Sequence, residues 1–298
     1  MMIAPSYLQK GDTIAIVATA RFIAAETLLP VLALLERWGL QVYIHPFLYL
    51  QDHQFAGNDA QRAEMLQDLL DNTAIKAIIC ARGGYGTTRI IDQIDFSTFK
   101  THPKWIAGFS DVTALHARVH QLHIQSLHSI MPVLFENDKD AVQSLKDTLF
   151  GKPNTFNLAA HAYNKMGQAT APLIGGNLSI IAHLMGTPDA LDTAGKILFL
   201  EDLDEYLYHI DRMLVQLKRG GKLSKLAGLV VGHFTDMKDN PIAFGKNASQ
   251  IIASHVAEFD FPVCFGFPVG HAHDNMTLIC GARYTITVTA EGSQLVLA

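Results

Sequence analysis

The chain has 298 residues, 49% of them hydrophobic and 17% charged, with a net charge of −5 at neutral pH. That is enough apolar material for a substantial core and too little charge for disorder. The acidic balance leaves no basic footprint for nucleic acid. Apolar runs such as "IKAIICA" fall far short of the roughly 20 residues a membrane helix needs. The three cysteines, Cys80, Cys264 and Cys280, are odd in number and widely spaced. They suit buried thiols in a reducing compartment better than a disulfide framework. No charged segment precedes an apolar core at the start, so no signal peptide is expected, and a cytoplasmic location is.

Strands and helices alternate through the first half. "TIAIVATA" (13–20) is a short apolar run suited to a buried strand. "AETLLPVLALLERWG" (25–39) places Leu28, Leu32, Leu35 and Trp38 at helical spacing, with Pro30 in the first turn and Gly39 as the stop. Further strands are expected at 41–46, 75–81, 104–110 and 124–130, and helices at 58–72, 85–94 and 111–122. This rhythm predicts a doubly wound, mostly parallel sheet that binds ligands at the carboxyl ends of its strands. Residues 1–151 form this N-terminal α/β domain. The polar, irregular segment 152–172 is expected to be a linker. Residues 173–298 then form a second α+β domain, barrel-like, with an antiparallel C-terminal edge in "RYTITVTA" and "SQLVLA".

Several residues could carry chemistry. Ser110 falls where the strand 104–109 meets the helix from 111. A sharp strand-to-helix turn there would expose the hydroxyl and aim free helix N–H groups, including that of Asp111, at a developing oxyanion. The bland alternative is a serine that caps the helix. The pattern also departs from G-x-S-x-G, with Val112 at the last glycine's place. "ARGGYGTTR" fails both phosphate-loop spacings, since its glycines fall at 83, 84 and 86. Its bare backbone could supply a second oxyanion donor, and Arg82 could meet a carboxylate. Equally, it could be a tight turn. Among 14 histidines, His116 and His120 share a helix face but lack the glutamate of a zinc-peptidase helix. His271 and His273 sit in the Gly/Pro-rich loop "GFPVGHAHDN". Glu201 ends an apolar strand, either facing a site or capping the next helix together with Asp202 and Asp204, and Glu205 and Asp211 compete with it.

Together these segments resemble the LD-carboxypeptidase family, along essentially the whole chain. The resemblance rests on "KGDTIAIVATA", "ARGGYGTTRI", "GFSDVTALH", "LIGGNLSIIAHLMGTP", "ILFLEDLDEYLYHIDRML" and "GFPVGHAHDNMTLICGA", in that order. It implies a serine peptidase whose triad is Ser110, Glu201 and His271. Backbone amides of Gly84 and Asp111 would form the oxyanion hole, with Arg82 and Tyr85 as substrate-binding candidates. No metal or cofactor is implied. The implied substrate is a murein tetrapeptide, cut by release of its terminal D-alanine in peptidoglycan recycling, and the implied assembly is a homodimer. "LICGA" departs from the family's usual ending and bears only on the local loop. A second activity within the resemblance is self-immunity hydrolysis of peptide–nucleotide antibiotics of the microcin C type, though no added aromatic loop for a base is visible. A non-catalytic α/β binding module is the alternative from another class.

Overall fold

Short aliphatic runs in the first half become strands largely buried on both faces, as a parallel sheet covered by helices requires, except at the edge strand over Gln41–Ile44. A computed structural model describes residues 2–298. In chain order the strands are β1 (Thr13–Val17), β2 (Gln41–Ile44), β3 (Ile75–Cys80), β4 (Trp105–Gly108), β5 (Ser126–His128), β6 (Phe156–Ala159) and β7 (Gly167–Asn177). There follow β8 (Ile197–Leu203), β9 (Gly228–Thr235), β10 (Val263–Phe265), β11 (Leu278–Cys280), β12 (Arg283–Val288) and β13 (Gly292–Leu297). The helices are α1 (Ala25–Arg37), α2 (Asp59–Asp71), α3 (Thr87–Ile90), α4 (Ser97–Thr101), α5 (Thr113–Gln121), α6 (Lys139–Leu149), α7 (Leu178–His183), α8 (Leu207–Arg219) and α9 (Ala248–Val256). The chain forms two units. One comprises residues up to Pro153 together with Met276–Ile279, and the other Asn154–Asn275 with Cys280–Ala298.

In the first unit the sheet runs β11-β5-β4-β3-β1-β2, and β1 to β5 pair in parallel. The strand order reverses between β1 and β3. Ligands of such sheets gather in the crevice that this reversal opens at the carboxyl ends. Helix α2 starts with a capping box, in which Asn58 and Gln61 each accept the other's backbone N–H. At its other end the buried Lys104 ammonium donates to the carbonyls of Leu69, Leu70 and Asn72. A cation is favoured there by the helix dipole. Pro30 lies in the second turn of α1, not the first, on its exposed side. The predicted helix 85–94 is only the single turn α3 followed by a tighter turn over Ile91–Gln93.

Arg62, on α2, is fully buried. Its Nη1 donates to the carbonyls of Thr19, just past β1, and Gly86, in the glycine-rich loop, at 2.7 and 3.1 Å. Its Nη2 pairs with Asp59, and the guanidinium lies over the Phe55 ring at 4.8 Å. One side chain therefore ties together the two loops that leave the switch point. Arg62→Ala would strand two carbonyls, while Asp59 would keep Arg89 as its partner. The substitution is expected to cost about 3 kcal/mol of stability, read as a lowered urea midpoint.

The second unit's sheet runs β10-β9-β8-β7-β12-β13-β6. Its first four strands are parallel and the rest antiparallel. Strand β7 belongs to both regimes. Over 167–172 it pairs antiparallel with β12 and alternates exposed and covered residues; over 173–177 it pairs parallel with β8 and is buried. An antiparallel bridge from Lys165 to Val263 ties the β10 edge to the β6–β7 connection, curling the sheet toward closure. The segment 152–172 is thus not the expected linker. It supplies β6 and half of β7, and its polar look is the half-solvated alternation of antiparallel strands.

Candidate active site

In the first unit, β4 ends at Gly108 and the chain turns at Ser110 into a tight turn, Ser110–Val112, that runs into α5. Ser110 has φ +64°, a left-handed conformation costing an L-residue about 1–2 kcal/mol. It does not cap the helix, since neither the turn nor α5 has a side-chain cap. The bland alternative for Ser110 is therefore removed. Beneath the turn, the buried His116 ring is fixed at both nitrogens. Nε2 donates to the Gly108 carbonyl at 2.9 Å, and Nδ1 accepts from the Ser126 hydroxyl at 2.8 Å. Burial pushes His116 down to about 4, so it stays neutral and serves as a strut.

The glycine-rich loop and the serine turn meet. A β-carbon on Gly83 would stand 3.0 Å from Ser110 Cβ and 3.1 Å from its Oγ, so only bare backbone fits against the hydroxyl. Gly84 has φ +121°, open to glycine alone, and among the described residues its N–H donates to no backbone carbonyl. The buried Asp111 carboxylate accepts the Thr87 N–H at 2.9 Å, locking the start of α3 to the serine turn. Arg82 is half-buried, with Nη1 donating to the Phe22 carbonyl at 3.2 Å. Tyr85 is exposed, with its ring 6.2 Å from that of Phe55.

In the second unit, Glu201 stands at the end of β8 and is wholly buried. Its Oε2 is 2.7 Å from His271 Nδ1. A carboxylate can only accept, so Nδ1 carries the proton and the neutral ring keeps Nε2 as its basic nitrogen. Burial pulls His271 down, but the hydrogen bond and charge of Glu201, with Asp202 behind it, more than reverse this, and its pKa is raised. The His271 loop is held by Asn275, whose Oδ1 accepts the Gly270 N–H at 3.0 Å.

Asp202, next to Glu201, faces the other way. It accepts from Asn177 Nδ2 at 2.8 Å and from the Ser179 N–H at 2.9 Å, at the start of α7. Burial, then the charge of Glu201, pushes it up to about 7 against the pull of the Leu203 N–H and Asn177. Glu201 is thus on the histidine, whereas the alternative of capping the next helix is not met: α8 has no side-chain cap, and Asp202 instead supports the start of the preceding helix, α7. The competitors are occupied elsewhere: Glu205 bonds His209, and Asp211 bonds His255, each at 2.8 Å. His273 is exposed. The three cysteines are buried and lie outside any disulfide. Sequence reasoning did not single out Arg62, Asn177 or Asn275 as parts of the site's support. Of these, Asn177 and Asn275 lie within the motifs "GGNLS" and "GHAHDN".

Residues 14–129 match the LD-carboxypeptidase N-terminal domain, and residues 170–286 match its C-terminal domain. The chain is 35% identical to the probable murein peptide carboxypeptidase of Bacillus subtilis, over 99% of this chain and 94% of that one. The crystal structure of muramoyltetrapeptide carboxypeptidase from Oxalobacter formigenes superposes with a TM-score of 0.86 at 29% identity, covering 95% and 97% of the two chains. The microcin C7 self-immunity protein of Escherichia coli is 23% identical over 85% of this chain and 83% of that one. With two carboxypeptidase domains in order, the chain is a hydrolase of the serine carboxypeptidase class. It belongs to the LD-carboxypeptidase family.

Proposed function

We propose that the chain releases the terminal D-alanine from murein tetrapeptides, taken as small peptides in the cytoplasm for peptidoglycan recycling. The observation that carries this reading is the Glu201–His271 pair, 2.7 Å apart, standing on the two motifs where the family keeps its acid and base. His271 accepts the Ser110 proton, and Glu201 orients the ring and stabilises its cationic form. Ser110 Oγ bonds to the carbonyl carbon between the L-centre and the terminal D-residue. The resulting oxyanion faces the amides of Gly84 and Asp111. The C–N bond breaks as His271 returns the proton to the leaving D-alanine amine. Water then attacks the ester by the same route and frees Ser110.

The test is mass spectrometry of defined muropeptides before and after incubation. The expected product is the tripeptide plus one free D-alanine per tetrapeptide. Intact tetrapeptide beside a cleaved peptide–nucleotide conjugate would sink this reading and favour the self-immunity activity.

A further inference from the structure

Two guanidinium groups flank the crevice where the first unit's strand order reverses, and neither has an anion. Arg21 lies four residues beyond the end of β1, and Arg82 two beyond the end of β3. The other arginines around this loop are matched: Arg62 and Arg89 pair with Asp59, and Arg118 with Asp92. Among the described residues Arg21 and Arg82 have no ion pair, and the buried Arg82 Nε has no hydrogen-bond partner.

Arg21 is held in place by its backbone. Its neighbours are pinned to the 52–56 loop, with Phe22 N–H donating to Gln54 and Ala56 N–H to Ala20, both at 3.1 Å. Arg21 itself bridges Phe55. Its side chain lies across Gly84, where an added β-carbon would stand 2.7 Å from Cγ and Cδ and 2.9 Å from Nε. The preceding residue, Gly83, is the one packed against Ser110. Adjacent Cα atoms are about 3.8 Å apart, so the Arg21 stem passes one residue from the serine contact. Arg82 joins the same group, since it donates to the carbonyl of Phe22, the residue after Arg21. Burial and then the nearby charge of Arg21 both depress Arg82, so an anion between them would relieve a repulsion.

We propose that Arg21 and Arg82 together form the receptor for the substrate's terminal carboxylate, with Arg21 the specificity-determining residue that confines cleavage to the chain end. The proposal rests on Ser110 being the nucleophile only for the direction in which the peptide lies. Planar forked donors suit a carboxylate, and a terminal amide offers neither its charge nor its second acceptor oxygen.

The test is calorimetric titration of the Ser110→Ala protein with a tetrapeptide ending in D-alanine and with the same peptide ending in D-alaninamide. We expect the carboxylate form to bind at least tenfold tighter. Adding Arg21→Gln should remove about ten- to hundredfold of that affinity, as losing hydrogen bonds to a charged group does, and leave the amide unchanged. Arg21→Lys should restore part of it. Equal or undetectable binding of the two peptides, or a preference that survives Arg21→Gln, overturns the proposal. Arg21 is exposed, so the variant should fold. D-Alanine released during the titrations would instead show that Ser110 is not the nucleophile, while the carboxylate preference is still read.

Discussion

Ser110→Ala is expected to lower kcat for D-alanine release by a factor on the order of 10⁴–10⁶, the loss usual for a triad nucleophile. Stability should hardly change, because alanine inherits the same left-handed backbone. Ser110→Gly separates the two effects. Glycine adopts φ +64° without strain, so this variant should be as inactive as alanine but more stable by about 1 kcal/mol. The turn is thus strained to present a hydroxyl, and the strain persists because Gly83 and the Asp111–Thr87 bond hold its surroundings. Turnover and urea midpoints measured on the same preparations check both statements. Near-wild-type turnover in either variant would remove Ser110 from its role.

Glu201→Gln should have the next largest effect, lowering kcat by about 10⁴. An amide in place of the carboxylate can leave the imidazole in the wrong tautomer. Its second signature is in pH. His271 acts as a base only when neutral, so kcat/KM should fall as pH drops through its pKa, which lies above the ordinary 6.5. Without the Glu201 bond and charge, burial of the ring is opposed only by the charge of Asp202, and the acid limb should move to lower pH. The same shift has a stability consequence. The folded pKa of His271 exceeds its unfolded value, so the ion pair's contribution is fully present below about pH 6.5 and is lost as pH rises through the folded value. Urea midpoints of wild type should show this slope and those of Glu201→Gln should not. An acid limb unmoved in the variant would mean that another group titrates there.

The parallel first sheet was legible because its strands are unbroken apolar runs such as "IKAIIC", separated by amphipathic helices. Strand β11 was not, because "LIC" carries no period in three residues and its partners lie far back in the chain. Strands β6 and β7 hid in a segment whose small and polar residues resemble a loop. They become strands only through antiparallel partners at the C-terminus, which local propensity cannot show. Ser110, Glu201 and His271 were legible as motif residues, but the motif says only which types stand there. The resemblance names Glu201 for the acid, but that its carboxylate reaches the histidine while Asp202 turns to Asn177 and Ser179 is visible only in the folded chain. Arg62 was invisible for another reason. A charged residue on an amphipathic helix is normally solvated, and nothing local marks one that is drawn inward by carbonyls from two distant loops.

The strand borrowed from near the C-terminus also bears on synthesis. As the ribosome delivers the chain, β5 emerges early, but its neighbour β11 does not exist until residue 278 has been made. Through that interval the first sheet has an open flank of unpaired peptide groups, the feature that templates association between nascent chains. The last act of folding is then to stitch a near-complete domain shut. Chaperone demand should concentrate in this window, and a ribosome stalled before residue 278 should hold a sticky, unfinished protein.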